Sequence, residues 1–198
     1  MSEPLLIGSA NRNKARELAT LLEGRPWTVV SLGDFPAIES PDETGTTFAE
    51  NAILKARYYG DALQIACIAD DSGLMVDALD GAPGVFSARY AGEDADDSAN
   101  NKKLLEALED TPWHERSARF VCCAAFYVPG EEPHIEEGEV LGHIAVSPFG
   151  ENGFGYDPLF VPDGFDMTFA EMSVAEKHEI SHRGRAFAKM RSWLEARQ

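Results

Sequence analysis

Apolar residues in the first half of the chain recur at two spacings, one typical of strands and one typical of helices. Short apolar runs predict strands at 4–8, 27–31, 65–69 and 74–79. Leucines at helical spacing and a capping-box sequence at Thr47–Glu50 predict helices at 12–23 and 47–63. We expect the strand at 65–69 to end abruptly at Asp70, because the polar stretch Asp-Asp-Ser-Gly follows it.

The second half of the chain predicts longer strands, followed by a helix. Residues 117–128 and 135–146 are expected to pair across the turn at Pro129-Gly130. Helices are predicted at 95–109 and 182–196, and Gly-rich loops at 81–92 and 148–158. The order predicts an α/β fold in one domain, residues 1–198, with a mixed twisted sheet flanked by helices. Two lobes with a central cleft would provide the ligand site.

The composition favours a folded cytoplasmic protein. Of the 198 residues 44% are hydrophobic, which suffices for a core, and no apolar run approaches the roughly 20 residues of a membrane helix. The first residues lack the pattern of a signal peptide. Cys67, Cys122 and Cys123 show neither disulfide nor metal-ligand spacing, so we expect reduced core cysteines. We therefore expect a cytoplasmic location and no membrane contact.

The formal net charge of -17 argues against binding of a long nucleic-acid backbone, which needs a basic surface. The acidic excess lies in the middle of the chain, whereas basic residues outnumber acidic ones near both ends. The net charge does not argue against a small anionic ligand, because binding of such a ligand depends on the charge close to its site. Most of the negative charge we interpret as a contribution to solubility.

The segment Gly8–Lys14 connects a predicted strand to a predicted helix and can bind an anion. Small residues permit close approach of a ligand, and free N–H groups with a lysine in the first helical turn favour negative charge. The segment has neither the Walker A spacing nor Gly-x-Gly-x-x-Gly. An ordinary capped turn with a surface lysine is an equally good interpretation of this segment alone.

Asp70 and Asp71 are adjacent carboxylates that follow a buried strand. They repel each other and lose hydration, so a positive partner is expected, and Mg²⁺ takes such oxygens while leaving room for phosphate and water. The alternative is an Asx-type turn shaped by Asp71 and Gly73. Glu43 precedes the second helix, where acids often serve only the helix dipole. Lys55 lies on that helix on the same face as Asn51.

Two later segments contain residues suited to a planar ligand. Phe154 lies on a glycine loop and can stack on a base, although aromatic residues beside turns more often fill a core. Lys177, His182 and Arg183 are donors close together in sequence and can bind carbonyl oxygens. Alternatively, the lysine and the arginine are solvated charges and the histidine is structural. The histidines form no Ser-His-Asp pattern.

Together, six segments resemble the inosine triphosphate pyrophosphatase family over nearly the whole chain. The matching segments are Ser9–Lys14, Glu43–Ala56, Ala69–Leu74, Gly81–Tyr90, Gly153–Pro158 and Ser181–Gly184. Each motif is modest alone, but six in register are specific. Ser9 stands where the family more often has threonine, which keeps the hydroxyl.

The resemblance implies Mg²⁺-dependent hydrolysis between the α- and β-phosphates of ITP, dITP and XTP, giving a monophosphate and pyrophosphate. Such an enzyme clears deaminated purines from the nucleotide pool and prevents their incorporation into DNA and RNA. The implied fold is an elongated two-lobed α/β structure, and the family is typically homodimeric. A cluster of donors matches the 6-oxo group of hypoxanthine and xanthine and clashes with the 6-amino group of adenine.

The resemblance also implies a role for each motif. The implied substrate-binding residues are Ser9, Ala10, Asn11, Arg12, Asn13, Lys14, Lys55, Ser72, Phe154, Gly155, Tyr156, Asp157, Lys177, His182 and Arg183. The implied Mg²⁺ ligands are Glu43, Asp70 and Asp71, and Asp71 is also the implied proton acceptor for the attacking water. The division of metal and base roles between Asp70 and Asp71 stays open.

Two other functions compete with this interpretation. One is a Maf-like pyrophosphatase for other modified nucleotides, and the other is a non-enzymatic nucleotide-binding module. The motifs at Ala69–Gly73 and Ser181–Gly184 together favour the inosine triphosphate pyrophosphatase. A degenerate module predicts gaps at metal or base-reading positions, and the sequence has none.

Overall fold

A computed structural model describes residues 4–11, 15, 18–20 and 27–197 of the chain. The strands in these residues are β1 (Pro4–Ile7), β2 (Thr28–Ser31), β3 (Ala66–Val76), β4 (Ser117–Tyr127), β5 (His134–Ile144) and β6 (Phe160–Pro162). The α-helices that lie wholly within these residues are α1 (Phe48–Leu63), α2 (Asp97–Ala107), α3 (Val174–Ile180) and α4 (His182–Ala196). The helix predicted at 12–23 lies largely outside the described residues, of which 15 and 18–20 are helical. No helix in the described part is long and apolar enough to cross a membrane.

The six strands form one sheet in the order β2-β1-β3-β4-β5-β6. Strand β1 pairs in parallel with both β2 and β3, whereas β5 and β6 are antiparallel, so the sheet is mixed as predicted. The two long strands β4 and β5 are neighbours, which confirms their predicted pairing. Strand β6 was not predicted, because its three residues are too few to show an alternating pattern.

Strand β3 contradicts the prediction that a strand ends at Asp70. It runs without interruption from Ala66 to Val76 and joins the two strands predicted at 65–69 and 74–79. Its neighbour β1 stops earlier, at Ile7, and the Gly8 amide then donates to the Ile68 carbonyl at 2.8 Å. The polar stretch therefore follows the region where β1 and β3 pair. Strand β4 is the other neighbour of β3 in the sheet.

Helix α1 begins with the predicted capping box. The Thr47 hydroxyl accepts a hydrogen bond from the Glu50 amide at 3.2 Å, and the Glu50 carboxylate accepts from the Thr46 and Thr47 amides at 2.7 and 3.1 Å. The helix ends at Leu63, and the next residue, Gln64, caps it in a left-handed conformation. Its buried face carries two polar residues, Asn51 and Lys55, which contact Asp71 of β3.

The contacts divide the chain into two compact units, each with its own core. The first comprises the described residues within 1–71, 122–138 and 185–198, and its core includes Leu5, Ile68, Ala124, Phe187 and Met190. The second comprises residues 72–121 and 139–184, and its core includes Leu74, Leu104, Phe120, Phe160 and Phe169. Among the described residues, the predicted site residues up to Asp71 belong to the first unit, and those from Ser72 onward belong to the second.

Candidate functional site

Asp70 and Asp71 are directed toward opposite sides of β3, as alternation along a strand requires. Asp71 faces α1, where its Oδ1 accepts from Lys55 Nζ at 2.7 Å and its Oδ2 accepts from Asn51 Nδ2 at 3.4 Å. Asp70 Oδ2 lies 3.9 Å from the Sγ of Cys122, which packs in the same core as Phe187 of α4. Both carboxylates are buried. The two adjacent aspartates therefore contact different parts of the first unit.

The ammonium group of Lys55 lies between two carboxylates. Its Nζ is 2.9 Å from Glu43 Oε1 and 2.7 Å from Asp71 Oδ1. Burial lowers the pKa of Lys55, but the negative charges of Asp71, Asp70 and Glu43 outweigh burial and raise the pKa above its usual value. Lys55 is therefore protonated at neutral pH. It supplies the positive charge that the sequence led us to expect beside Asp71.

Asn51 connects the loop that carries Glu43 to strand β3. Its Oδ1 accepts from the Gly45 amide at 2.8 Å, while its Nδ2 donates to Asp71. A Cβ at position 45 would lie 2.5 Å from Asn51 Oδ1, so this close approach requires glycine. The sequence placed Asn51 on the same helix face as Lys55 but gave it no role in the site.

The carboxylates of Glu43, Asp70 and Asp71 are hard oxygen donors, and this donor chemistry fits Mg²⁺. Among the described residues, no three His, Cys, Asp or Glu side chains are already grouped as a metal site. The Lys55 ammonium occupies the space between Glu43 and Asp71 instead. A cation bound by this pair would have to share that space with Lys55.

The segment after β1 lies close against β3. A Cβ on Gly8 would lie 2.8 Å from Cys67 Sγ, so glycine is needed for this approach. The Ala15 amide donates to the Asn11 carbonyl at 2.9 Å, as in the first turn of a helix. Ser9 is half-buried, whereas Ala10 and Asn11 are exposed. The remaining predicted residues, Arg12, Asn13 and Lys14, lie outside the described residues.

In the second unit, the Phe154 ring lies next to two cations. Lys177 Nζ is 4.9 Å and Arg183 Cζ is 5.5 Å from the ring centroid, within the range of cation–π attraction. Arg183 Nη2 also donates to Ser72 Oγ at 2.9 Å. The structure thus brings two predicted cations against the Phe154 ring, and one of them also binds the predicted residue Ser72.

Asp157 braces the loop that carries Phe154. Its Oδ2 accepts from Lys177 Nζ at 2.6 Å and from the Phe154 amide at 2.8 Å, and both charged side chains of this pair are buried. A Cβ on Gly153 would collide with this carboxylate, which explains the glycine. Tyr156 donates its hydroxyl to the Ser87 carbonyl at 2.8 Å, and burial raises its pKa. Asp157 and Tyr156 therefore shape the loop.

His182, at the start of α4, is buried in the second unit. Its ring stacks on Phe120 with the centroids 4.7 Å apart and the planes inclined by 10°. The next residue is Arg183, which packs on the Phe154 ring. The predicted His182 is therefore one residue from a side chain that contacts Phe154.

Two residues that sequence reasoning missed hold Gly155. The Gly155 amide donates to Asp97 Oδ2 at 2.7 Å, and the Gly155 carbonyl accepts from Asn101 Nδ2 at 2.9 Å. Both lie on α2, outside the matching motifs. Their separation of one helical turn was a signal that they share a face, but nothing in the sequence indicated that this face meets the loop.

The fold and these clusters define a mixed α/β protein with a six-stranded sheet flanked by helices. A sequence profile of the Ham1 family matches residues 5–193. The chain belongs to the Ham1 family. This confirms the predicted fold class and the family resemblance found in the sequence.

Relatives with assigned names match the chain over almost its full length. The chain is 48% identical over 190 residues to the dITP/XTP pyrophosphatase of Geobacter sulfurreducens, covering 96% of each protein. It is 50% identical over 186 residues to that of Listeria monocytogenes serovar 1/2a, covering 94% of this chain and 92% of the relative.

Solved structures show the same fold. The Staphylococcus aureus Ham1 protein superposes with a TM-score of 0.88 at 41% identity, covering 99% of this chain and all (100%) of the other. The nucleoside-triphosphatase / dITP/XTP pyrophosphatase of Mycobacterium abscessus superposes with a TM-score of 0.78 at 47% identity, covering 94% of this chain and 98% of the other.

Proposed function

We propose that this protein is a nucleoside triphosphate pyrophosphatase that hydrolyses ITP, dITP and XTP to the monophosphate and pyrophosphate. The observation that carries the proposal is the cluster of Glu43, Lys55 and Asp71, which combines acceptors for a cation with a charged donor for phosphate. The relatives that bear the name dITP/XTP pyrophosphatase, at 45 to 50% identity, support the same reaction. The activity would remove deaminated purines from the nucleotide pool and prevent their incorporation into DNA and RNA.

In this proposal the carboxylates of the first unit hold Mg²⁺. Glu43 and Asp71 form the pair next to Lys55, and Asp70 is the third carboxylate of the set. When bound, Mg²⁺ offsets phosphate charge and lowers the pKa of a water molecule. Asp71, held by Lys55 and Asn51, accepts the proton of the attacking water. Lys55 contacts the triphosphate, and its raised pKa keeps it charged for that role.

The segment after β1 binds the triphosphate in the same proposal. Ser9, Ala10 and Asn11 precede a helical turn, where free amide groups favour an anion. Arg12, Asn13 and Lys14 are assigned to the same task from the sequence motif alone. The close approach of Gly8 to β3 supports this placement, because it holds the segment near the strand that carries Asp71.

Base recognition is assigned to the second unit. The Phe154 ring stacks on the base, Lys177, His182 and Arg183 donate to its oxygen atoms, and Ser72 contacts the nucleotide. Gly155, Tyr156 and Asp157 shape the loop. Hypoxanthine and xanthine present an acceptor at position 6, whereas adenine presents a donor, and such a mismatch can discriminate by up to about 10⁴-fold. The salt bridge from Asp157 orients Lys177 for this contact.

The remaining parts of the proposal concern assembly and location. We propose a cytoplasmic homodimer in which residues 1–198 act as one nucleotide pyrophosphatase domain. Neither a membrane nor polymeric nucleic acid is a partner. The net charge of -17 supports the exclusion of a polyanion spread over the surface.

Product analysis tests the reaction. Phosphorus NMR of ITP incubated with the protein and Mg²⁺ is expected to show equal amounts of IMP and pyrophosphate. Formation of IDP and orthophosphate would contradict cleavage between the α- and β-phosphates. Binding of ITP without turnover would favour the non-enzymatic module, and turnover of other modified nucleotides but not ITP would favour a Maf-like enzyme.

A further inference from the structure

Helix α2 holds both backbone polar groups of Gly155. Asp97 Oδ2 accepts from the amide at 2.7 Å, and Asn101 Nδ2 donates to the carbonyl at 2.9 Å. The two side chains are one helical turn apart and therefore lie on the same face of α2. One rigid element thus fixes a single loop residue through two hydrogen bonds of opposite polarity.

Gly155 is the position in this loop where such fixing matters. Its φ of +62° lies in the left-handed region, which glycine adopts without strain. Because glycine has high conformational freedom in the unfolded chain, fixing its backbone costs more entropy than fixing that of other residues. The preceding residue, Phe154, is held through its own amide by Asp157 at 2.8 Å. Hydrogen bonds from both sides therefore determine where the Phe154 ring lies.

Helix α2 is well anchored for this task. The Asp96 side chain caps its first turn by accepting from the Ala99 amide at 2.7 Å, and Leu104 is fully buried in the core of the second unit. A site supported from a packed helix is positioned more accurately than one that depends on a loop alone. Asp97 and Asn101 therefore extend the rigidity of the core to the aromatic loop.

We propose that Asp97 and Asn101 are positioning residues for recognition of the nucleobase. They hold Gly155 so that the Phe154 ring stays in contact with the cations of Lys177 and Arg183. The inference rests on the proposed function, which assigns base stacking to Phe154. It adds two residues on α2 that lie outside the six matching motifs.

Steady-state kinetics on ITP and ATP test the proposal. Asp97→Ala and Asn101→Ala are expected to raise KM for ITP about threefold to tenfold, with kcat within about twofold of the wild type. Only KM is expected to change, because the two hydrogen bonds to Gly155 support binding of the base. Loss of folded protein would instead lower the apparent kcat. The preference for ITP over ATP in kcat/KM is expected to fall by a similar factor.

Three further variants separate the hydrogen bonds from other effects. Asp97→Asn keeps an acceptor for the Gly155 amide but removes the charge near the helix N-terminus, so KM is expected to stay close to the wild-type value. Asn101→Asp places a carboxylate against the Gly155 carbonyl, so it is expected to raise KM for ITP more than Asn101→Ala does. Lys102→Ala, on the same helix but ion-paired with Glu106, is the matched control. Unchanged KM and selectivity in both alanine variants would overturn the proposal.

Amide hydrogen exchange of the ligand-free protein provides a readout that needs no substrate. The Gly155 amide is expected to exchange at least about threefold faster in Asp97→Ala than in the wild type, and Asp97→Asn is expected to restore protection. Unchanged exchange in Asp97→Ala would also overturn the proposal. A wild-type protein without preference for ITP would instead contradict the proposed function. If the enzyme prefers ITP, but Asp97→Ala exchanges faster and keeps the wild-type KM, the positioning role is refuted and the proposed function stands.

Discussion

The ammonium of Lys55 lies 2.7 Å from Asp71 and 2.9 Å from Glu43, and so joins the middle of β3 to the loop before α1. Opposite charges within this distance stabilise each other strongly when water is excluded. Lys55 thereby offsets the charge of a buried carboxylate that lies beside other acidic residues. The same contact places a positive charge next to the proposed general base.

Replacement of Lys55 by methionine tests this charge balance. The variant retains the buried carboxylates without the ammonium, so the free energy of unfolding is expected to fall by about 3 kcal/mol in the presence of a chelator. Mg²⁺ is expected to restore more stability to the variant than to the wild type, because in the variant the cation alone can offset the charges of Glu43 and Asp71. Urea unfolding with chelator and with Mg²⁺ measures both effects. Lys102→Met, at an exposed lysine, is the control. If Mg²⁺ leaves the loss of stability in Lys55→Met unchanged, the metal assignment is contradicted.

Asp71→Asn tests the proposed base. The substitution preserves the size of the side chain but removes its capacity to accept a proton, so kcat for ITP is expected to fall about 10²- to 10⁴-fold. ITP binding, measured by calorimetry, is expected to persist. Asp110→Asn, at an exposed turn, is the control for the substitution. A kcat within tenfold of the wild type would rule out Asp71 as the base.

Phe154→Ala tests base stacking. Stacking of a base on an aromatic side chain contributes about 1–3 kcal/mol, so KM for ITP is expected to rise at least about fivefold. Phe149, in the same Gly-rich segment but exposed, provides the control Phe149→Ala. If the two variants raise KM equally, the ring of Phe154 has no special role in binding the base.

Glu50→Gln tests how the start of α1 depends on pH. Hydrogen bonds from the Thr46 amide and hydroxyl and from Thr47 hold the pKa of Glu50 below 4.5. A carboxylate with a lowered folded-state pKa contributes stability above pH 4.5, and this contribution is lost as pH falls through the folded-state pKa. The variant is therefore expected to be less stable than the wild type at pH 7, with a difference that narrows below pH 4.5. Urea midpoints of the wild type and of Glu50→Gln across this pH range measure the difference, with Glu109→Gln as the control. A difference between wild type and Glu50→Gln that does not change with pH would contradict the prediction.

The fold was predictable where local patterns were strong. The capping box at Thr47–Glu50 and the long apolar strands β4 and β5 were both identified from sequence. Strand β3 was misjudged because Asp70 to Gly73 has the composition of a turn. This segment nevertheless lies inside an eleven-residue strand in the interior of the sheet, a position that local composition does not reveal. Strand β6 was missed because it is too short to show a period.

The site was predictable as a set of residue types but not as an arrangement. The motifs indicated Lys55 and Asp71 separately, and only the packing of α1 on β3 brings them to 2.7 Å. The sequence also suggested that Asp70 and Asp71 form one pair, whereas a continuous strand directs them to opposite sides. Asp97 and Asn101 were missed because their contacts join segments far apart in sequence.

Selection of deaminated purine nucleoside triphosphates by this protein is tested by a comparison of kcat/KM for ITP, XTP, GTP and ATP with Mg²⁺. Pyrophosphate release, detected as phosphate after addition of inorganic pyrophosphatase, gives all four values under one set of conditions. The account predicts that ITP and XTP exceed ATP by about 10²-fold or more, because the donors around Phe154 suit an oxygen at position 6. Equal values for all four nucleotides would contradict it.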